Sequence, residues 1–267
     1  MPRHAIPRAW NDKFPHVSSV AVAPDAALYA SSLGQGVYRI DPNGEWEALE
    51  REWPEGATVN RLSVNRGVLT ACTSKGLYVY NRDRWEATDV AVPAYGFLEG
   101  GGGRMLAATH YGIWCRTEDG WLNWAYPDSI IYDLLYLPQF IVAGRDNGMA
   151  LYDRLTGEWM EFVLADAVTS VAVYRGRLVG SGGCGQLIVG NRRGGFDTFR
   201  LPGIFIVSLI SKGRDVYACT DKGLFRLGMF RDSVALLPVR LGFPVADADW
   251  DGETLVMATL FRGIESI

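Results

Sequence analysis

His110 is the side chain in this sequence best suited to proton transfer, because histidine titrates near neutral pH and can act as a general acid or base. It lies in the segment AATHYG, two residues before Gly112. Tyr95 and Tyr132 could donate protons or hydrogen-bond to it if the fold brings the three together. We therefore predict His110, Tyr95 and Tyr132 as candidate catalytic residues. An exposed histidine in a turn, with no catalytic part, is the alternative.

Four charged side chains are candidates for binding a ligand: Arg61, Asp133, Arg145 and Asp247. Arg61 or Arg145 would hold an anionic group, since a guanidinium matches the geometry of carboxylates and phosphates. Charges at a narrow, partly buried position cost desolvation free energy unless water, a ligand or each other satisfies them. The alternative is structural: Arg61 forms an ion pair with Asp133 or Asp247 in a solvated channel.

Metal and thiol chemistry have weaker support. His16 and His110 could share a metal, but no third ligand lies at a recognisable spacing. The segment DADWDGE at 247–253 imitates the start of a calcium loop, yet Ala258 stands where the bidentate Glu would be. Cys184 would need an adjacent base to act as a nucleophile. We predict no cofactor, and a divalent metal in the channel is left open.

Composition narrows the class of protein. The 267 residues carry 26 basic and 30 acidic side chains, so no basic field is available for nucleic acid. Apolar stretches are too short for a spanning helix, and the first residues lack a signal-peptide pattern. Four scattered cysteines favour a reducing compartment. We expect a cytoplasmic monomer that does not bind nucleic acid or membranes.

A repeat of nearly constant length must position the candidate residues. The phrase ACTSKG at 71–76 returns as ACTDKG at 218–223. Equivalent glycines are spaced by 40, 36, 36, 37, 38 and 40 residues, which makes seven repeats. The aligned glycines are Gly36, Gly76, Gly112, Gly148, Gly185, Gly223 and Gly263. Each repeat contains four short alternating segments separated by turn residues, a pattern typical of propeller blades.

The predicted architecture is one all-β domain spanning 1–267, a seven-bladed propeller of four-stranded blades. The predicted blades are 17–50, 59–90, 94–126, 129–164, 167–201, 204–241 and 245–267. The last repeat stops before its fourth strand. We expect residues 7–14, which carry Trp10, to supply that strand and close the ring, because closure removes exposed sheet edges.

The phrases GVYRIDPNGEW at 36–46, GLYVYNRDRW at 76–85 and GMALYDRLTGEW at 148–159 resemble the repeats of two-component-regulator-type propellers. More loosely, they resemble YVTN or quinoprotein-type repeats. The resemblance covers the chain from about residue 5 to residue 267 and implies a seven-bladed propeller. Such repeats occur in sensors, scaffolds and enzymes alike, so the resemblance carries over no catalytic residue.

Repeat alignment places Arg61, Asp133 and Asp247 at the same position, the start of an innermost strand, where other blades have Ser19, Gly96, Ser170 and Ser208. We predict that the three charges surround one concave pocket at the channel mouth with Tyr95, Tyr132 and His110.

Two functions remain open. The first is a non-catalytic module that binds a small molecule, peptide or protein on its top face and central funnel. The alternative is a cofactor-free or metal-assisted lyase, isomerase or hydrolase acting on a small anionic molecule.

Overall fold

The structure is a computed structural model that describes residue 6 and residues 8–230, 233–252 and 254–267. These residues form seven antiparallel sheets, six with four strands and one with three, and in every sheet the strands lie side by side in chain order. Helical structure within the described residues is limited to α1 (Arg8–Lys13) and a 3-10 turn (Gly101–Gly103). The predicted all-β, seven-bladed propeller is confirmed.

Each of the first four blades is a sheet of four strands. Blade 1 contains β1 (Val17–Val22), β2 (Leu28–Ser32), β3 (Gly36–Ile40) and β4 (Trp46–Ala48). Blade 2 contains β5 (Val59–Asn65), β6 (Val68–Thr73), β7 (Gly76–Asn81) and β8 (Arg84–Ala87). Blade 3 contains β9 (Ala94–Glu99), β10 (Met105–Thr109), β11 (Gly112–Thr117) and β12 (Gly120–Ala125). Blade 4 contains β13 (Ile131–Tyr136), β14 (Phe140–Arg145), β15 (Gly148–Asp153) and β16 (Trp159–Val163).

The remaining three blades follow the same order. Blade 5 contains β17 (Val168–Tyr174), β18 (Arg177–Gly182), β19 (Gln186–Gly190) and β20 (Phe196–Arg200). Blade 6 contains β21 (Ile206–Lys212), β22 (Asp215–Thr220), β23 (Gly223–Phe230) and β24 (Ser233–Leu241). Blade 7 contains β25 (Val245–Asp251), β26 (Thr254–Thr259) and β27 (Ile264–Ser266).

The first strand of each blade lines a central channel. Each of these strands lies against its counterparts in the two neighbouring blades, and β1 contacts both β5 and β25, so the ring is closed. Apolar side chains fill the spaces between blades and form the core. Within the described ranges, no helix is long and apolar enough to cross a bilayer.

The repeated glycine has a structural cause that is clearest at the start of β7, β15 and β23. Gly76, Gly148 and Gly223 have φ of 138°, 132° and 142°, a region that side chains other than glycine rarely adopt. A Cβ at these positions would also overlap a carbonyl oxygen near the outermost strand of the same blade. The repeat glycines of blades 1, 3, 5 and 7 also have positive φ, between 69° and 87°, so each blade has a turn at this point that favours glycine.

The N-terminal segment closes the ring as a helix, which corrects the prediction of a fourth strand in blade 7. Of the predicted segment 7–14, residue 7 lies outside the described residues. Trp10 and Phe14 are buried on one side of the segment and pack between blades 7 and 1. Their spacing of four is a helical one, and the Phe14 N–H donates to the Trp10 carbonyl (2.8 Å).

Asn11 makes the hydrogen bonds that a neighbouring strand would have made to β27. Its Oδ1 accepts from the Ile264 N–H (2.8 Å) and its Nδ2 donates to the Ile264 carbonyl (3.0 Å). The Gly263 N–H donates to the Pro15 carbonyl (2.9 Å). One side chain amide thus replaces two backbone groups, because it carries both a donor and an acceptor.

Candidate functional site

A β-bulge at the start of every innermost strand builds the channel mouth. In β5, for example, Val59 pairs with Thr73 and Arg61 with Cys72, which leaves Asn60 as the extra residue. The register shifts at the same place in all seven blades. The residues that follow the bulges are Ser19, Arg61, Gly96, Asp133, Ser170, Ser208 and Asp247. The register therefore makes these seven positions equivalent.

Asp133 links blade 4 to blades 5 and 6. Its Oδ2 accepts hydrogen bonds from Ser170 Oγ (2.9 Å) and the Val171 N–H (2.9 Å), while Oδ1 accepts from the Leu134 N–H (3.0 Å). Ser170 Oγ in turn accepts from the Leu209 N–H (3.0 Å). We call this chain from Asp133 through Ser170 to Leu209 the first clasp.

Asp247 makes the same links from blade 7 to blades 1 and 2. Its Oδ2 accepts from Ser19 Oγ and from the Val20 N–H (3.4 Å), and its Oδ1 accepts from the Ala248 N–H (2.9 Å). Ser19 Oγ accepts from the Leu62 N–H (2.9 Å). This chain from Asp247 through Ser19 to Leu62 is the second clasp. Both carboxylates are buried, with 6% and 8% exposure for Asp133 and Asp247.

Arg61 reaches from blade 2 past Gly96 to the first clasp, where its Nη1 donates to Asp133 Oδ1 at 2.9 Å. Its side chain is 28% exposed. The Asp133 carboxylate raises the pKa of Arg61, and Asp247 adds a smaller contribution. Burial raises the pKa of Asp247 to about 6, against the lowering effects of Arg61 and the Ser19 hydroxyl.

Tyr95, His110 and Tyr132 lie together at the mouth of the channel. The Tyr95 hydroxyl lies 3.0 Å from His110 Nδ1, and the rings of Tyr95 and Tyr132 are 5.7 Å apart. Tyr111 extends this aromatic group, with its ring 5.0 Å from that of His110. Burial raises the pKa of both Tyr95 and Tyr132. The two phenols are therefore protonated at neutral pH and can donate hydrogen bonds.

Arg145 joins neither group, and its part in ligand binding stays a prediction. It ends β14, but its side chain runs outward to the outermost strand, where Nη1 lies 3.0 Å from Glu161 Oε2. The guanidinium also stacks over the Tyr126 ring at 4.1 Å and donates to Ser129 Oγ (3.2 Å). Its contacts are those of a brace between blades 3 and 4.

The weaker candidates also have clear positions. His16 hydrogen-bonds through Nδ1 to the Leu260 carbonyl and packs on Phe261, so its contacts are with blade 7. The Asp249 carboxylate accepts from the Val22 N–H (2.8 Å) and the Trp250 N–H (2.7 Å), and Glu253 of the calcium-like segment lies outside the described residues. Cys184 is exposed beside Asp166. In the part of the chain that the structure describes, no three His, Cys, Asp or Glu side chains are grouped to hold a metal.

The structure thus brings Arg61 into contact with Asp133, and Tyr95 into contact with His110 and Tyr132. Asp247 belongs to the second clasp. That all six surround one pocket stays a prediction. Sequence reasoning missed the two serines of the clasps, Ser19 and Ser170, because small polar residues at these positions carry no chemistry of their own. A signal was present, since each charged Asp is followed by Ser at the same position one blade later.

Solved structures of other proteins share this fold. The extracellular domain of BT4673, described as a one-component system of B. thetaiotaomicron, has a TM-score of 0.77 and 17% identity, covering 96% of this chain and 38% of that one. Virginiamycin B lyase from Staphylococcus aureus has a TM-score of 0.74 and 13% identity, covering 96% and 95%. A chain of the mitotic checkpoint complex has a TM-score of 0.72 and 15% identity, covering 98% and 88%.

At these identities the similarity shows the fold alone. The chain spans 38% of the length of the BT4673 chain, so nothing outside its propeller is matched. No protein-family model matches the chain, and no curated protein is significantly similar to it. The neighbours include both the extracellular domain of a one-component system and a lyase, and function must therefore be argued from the site.

Proposed function

We propose that this protein is a binding module that holds a ligand or partner over the mouth of its central channel. Arg61 carries the proposal. One of its guanidinium nitrogens is fixed by Asp133, and no hydrogen bond from the other two to the described residues is found. A partly exposed guanidinium held in place by a carboxylate is well suited to bind an anionic group.

The surroundings of Arg61 support recognition rather than covalent chemistry. The Asp133 carboxylate accepts four hydrogen bonds and the Asp247 carboxylate accepts three, from their own and other blades. Both carboxylates are therefore already used to join blades. Next to them, Tyr95 and Tyr132 offer flat rings and hydroxyl donors, a combination enriched in binding surfaces. The ligand we propose carries an anionic group for Arg61 and a flat or apolar part for the tyrosines.

Capture from an extract of the source cells tests this proposal. Immobilised wild-type protein is compared with Arg61→Met and with the double variant Tyr95→Ala/Tyr132→Ala. Leu155→Ala is the matched control, because Leu155 is 82% exposed in the turn between β15 and β16, at the other end of the blade. We expect a ligand or partner that the wild type and the control retain and the channel-mouth variants lose, each protein being assayed well below its own melting temperature. Equal retention by all four proteins would contradict the proposal.

An enzyme of the lyase, isomerase or hydrolase type is the second candidate, and the Tyr95–His110 pair favours it. A hydroxyl 3.0 Å from Nδ1 fixes the orientation of the imidazole and leaves Nε2 able to exchange a proton with a substrate. The virginiamycin B lyase fold is a fold-level analogy only. Quinupristin, present in one structure of that enzyme, is a practical probe for liquid chromatography and mass spectrometry. Conversion that disappears in His110→Asn supports an enzyme; no conversion by the wild type argues against this type of lyase.

A cytoplasmic location is part of the proposal. Cys72, Cys115, Cys184 and Cys219 are all free thiols, as is usual in a reducing compartment.

A further inference from the structure

Blade 3 breaks a packing rule that its neighbours keep. Two equivalent positions in each blade face the preceding blade. They are occupied by Val64 and Tyr80 in blade 2, and by Tyr136 and Tyr152 in blade 4. These side chains pack into the interblade cores. At the same two positions, blade 3 has Glu99 and Arg116.

The two charged residues leave the space between blades 2 and 3 unfilled. A cleft of about 510 Å³ opens there, within the range of roughly 300–1,000 Å³ that ligand pockets occupy. We call it the side cleft. It lies at the end of the blades opposite the channel mouth, beside the β5–β6 turn. Its apolar lining consists of Val68, Val79, Phe97, Met105 and Trp121.

Glu99 is the buried charge of the side cleft. Its side chain is 10% exposed, and its ion pair is with Arg66, whose Nε lies 3.0 Å from Glu99 Oε1. The Arg66 side chain is 73% exposed and extends from the β5–β6 turn over the cleft. A long, solvated arginine is a replaceable partner, since holding its flexible side chain in one conformation costs entropy.

The rest of the rim is also charged. Asp89 pairs with Arg116 (3.6 Å) and accepts from the Trp121 N–H (3.1 Å), which fixes it beside the aromatic ring. Glu86 completes the rim and pairs with Arg84 (3.1 Å). Each carboxylate of the side cleft therefore has an arginine partner, and the apolar lining lies between these pairs.

We propose that the side cleft binds a small organic cation with an apolar or aromatic body. Its ammonium or guanidinium group pairs with Glu99 and displaces the Arg66 side chain. Its body lies against Phe97, Met105 and Trp121, where the aromatic rings also attract the positive charge. This site is separate from the channel mouth and does not depend on the function proposed there.

The probe is 2-phenylethylamine, with 2-phenylethanol and 3-phenylpropionate as the neutral and anionic controls. Binding to the full chain is followed by titration of the backbone amide signals of Gly120 and Trp121 in two-dimensional NMR spectra. We expect saturable shifts with the amine and at least fivefold weaker binding of the alcohol and the acid. Equal binding of the three probes, or no shift with the amine, would overturn the proposal.

Two variants with opposite expected signs sharpen the test. Glu99→Gln keeps the size of the side chain and removes its charge, so we expect at least fivefold weaker binding of the amine. Arg66→Ala removes the internal competitor, so we expect twofold to fivefold tighter binding. Arg175→Ala is the matched control, since Arg175 lies in the same turn of blade 5 with the same φ of 50°. Unchanged affinity in Glu99→Gln, or weaker binding in Arg66→Ala, would contradict the assignment.

A third variant restores the packing rule of the neighbouring blades. Arg116→Tyr puts the residue of blades 2 and 4 into blade 3 and is expected to fill the cleft. Amine binding should then fall at least tenfold while the melting temperature stays equal or rises. A well-folded Arg116→Tyr protein that binds the amine as tightly as the wild type would place the site elsewhere.

Discussion

Asp133 and Asp247 occupy equivalent positions and make equivalent hydrogen bonds, but only Asp133 has an arginine. The first clasp joins blades 4, 5 and 6, and the second joins blades 7, 1 and 2. Blade 3, with Gly96, belongs to neither. Arg61 lies in blade 2, the last blade of the second clasp, and its side chain extends past Gly96 to pair with Asp133. Seven blades are thus tied together as two groups of three, with one ion pair across the remaining blade.

The two clasps differ in whether an arginine neutralises the buried carboxylate. In the first clasp, Arg61 neutralises the buried Asp133 carboxylate, and its side chain is still 28% exposed. In the second, Asp247 has hydrogen bonds but no direct cation, and burial raises its pKa to about 6. The first clasp is therefore the one that can offer a positive charge to a ligand, and the second is the one that responds to pH.

The largest expected effect is the loss of the first carboxylate. Asp133→Ala removes two interblade links and leaves Arg61 without its partner. Breaking a buried ion pair from one side costs about 3–5 kcal/mol, and the partial exposure of Arg61 puts our expectation at about 3 kcal/mol. Asp247→Ala also breaks its clasp but removes an unpaired buried charge, so we expect a loss of about 1–2 kcal/mol at pH 7. Urea unfolding monitored by tryptophan fluorescence measures both, and a greater loss in Asp247→Ala would contradict this order.

The next effect is the pH dependence of the second clasp. The pKa of Asp247 is about 6 in the folded protein, against a reference value of 3.8. The folded state therefore binds more protons between these values, so its stability falls as pH rises from about 4 to about 6. The contribution of Asp247 protonation to the stability of the folded state is complete below pH 3.8 and lost above pH 6. A shift of about two units corresponds to up to about 3 kcal/mol.

Asp247→Asn isolates this titration, because an amide has no charge to lose. We expect the free energy of unfolding of the wild type, relative to that of Asp247→Asn, to decrease between pH 4 and pH 7. Unfolding in urea at pH 4.5, 5.5 and 7.0 gives the three differences. A constant difference over this range would show that Asp247 does not titrate there.

The serines give a smaller effect that again separates the clasps. Ser170→Ala and Ser19→Ala each leave one buried backbone N–H without a partner and remove one of the two hydrogen bonds to the carboxylate Oδ2, a loss of about 1–3 kcal/mol. We expect Ser19→Ala to cost more, because Asp247 has no arginine to take over part of its stabilisation. The melting temperatures of the two variants and of the wild type test this order. Equal shifts would mean that Arg61 does not support the first clasp.

Much of the fold could be predicted from the sequence because its signals are local and repeated. The spaced glycines mark a turn with positive φ in each blade. Aligning the alternating strands together with these glycines places Ser19, Arg61 and Asp133 at equivalent positions. A strand is the natural prediction for the closing segment because the other blades have four. The spacing of Trp10 and Phe14 and the amide of Asn11 make a helix equally able to close the ring.

The candidate site was less predictable because its contacts cross between blades. Whether Arg61 pairs with Asp133 or Asp247 depends on how the ring places blades 4 and 7 around blade 2, which spacing along the chain does not reveal. The outward direction of Arg145 depends on Glu161 in another strand of its blade. The side cleft exists because Glu99 and Arg116 do not fill the space between blades 2 and 3, and no sequence motif marks an unfilled space.

The smallest expected effect concerns Gly96, the residue that Arg61 passes. Its φ lies outside the left-handed region, and a Cβ there would lie 3.6 Å from Ala108 Cβ and 3.8 Å from Asp133 Oδ1, both ordinary contacts. Gly96→Ala should therefore stabilise the protein by about 0.4–1 kcal/mol, since alanine reduces the conformational entropy of the unfolded chain. Gly144→Ala is the matched control in blade 4, because its Cβ would lie 2.5 Å from the Val168 carbonyl oxygen and must destabilise the protein. If Gly96→Ala lowers the melting temperature as Gly144→Ala does, then the Arg61–Asp133 pair needs more room than the methyl group leaves, and the path of Arg61 across blade 3 is tighter than described.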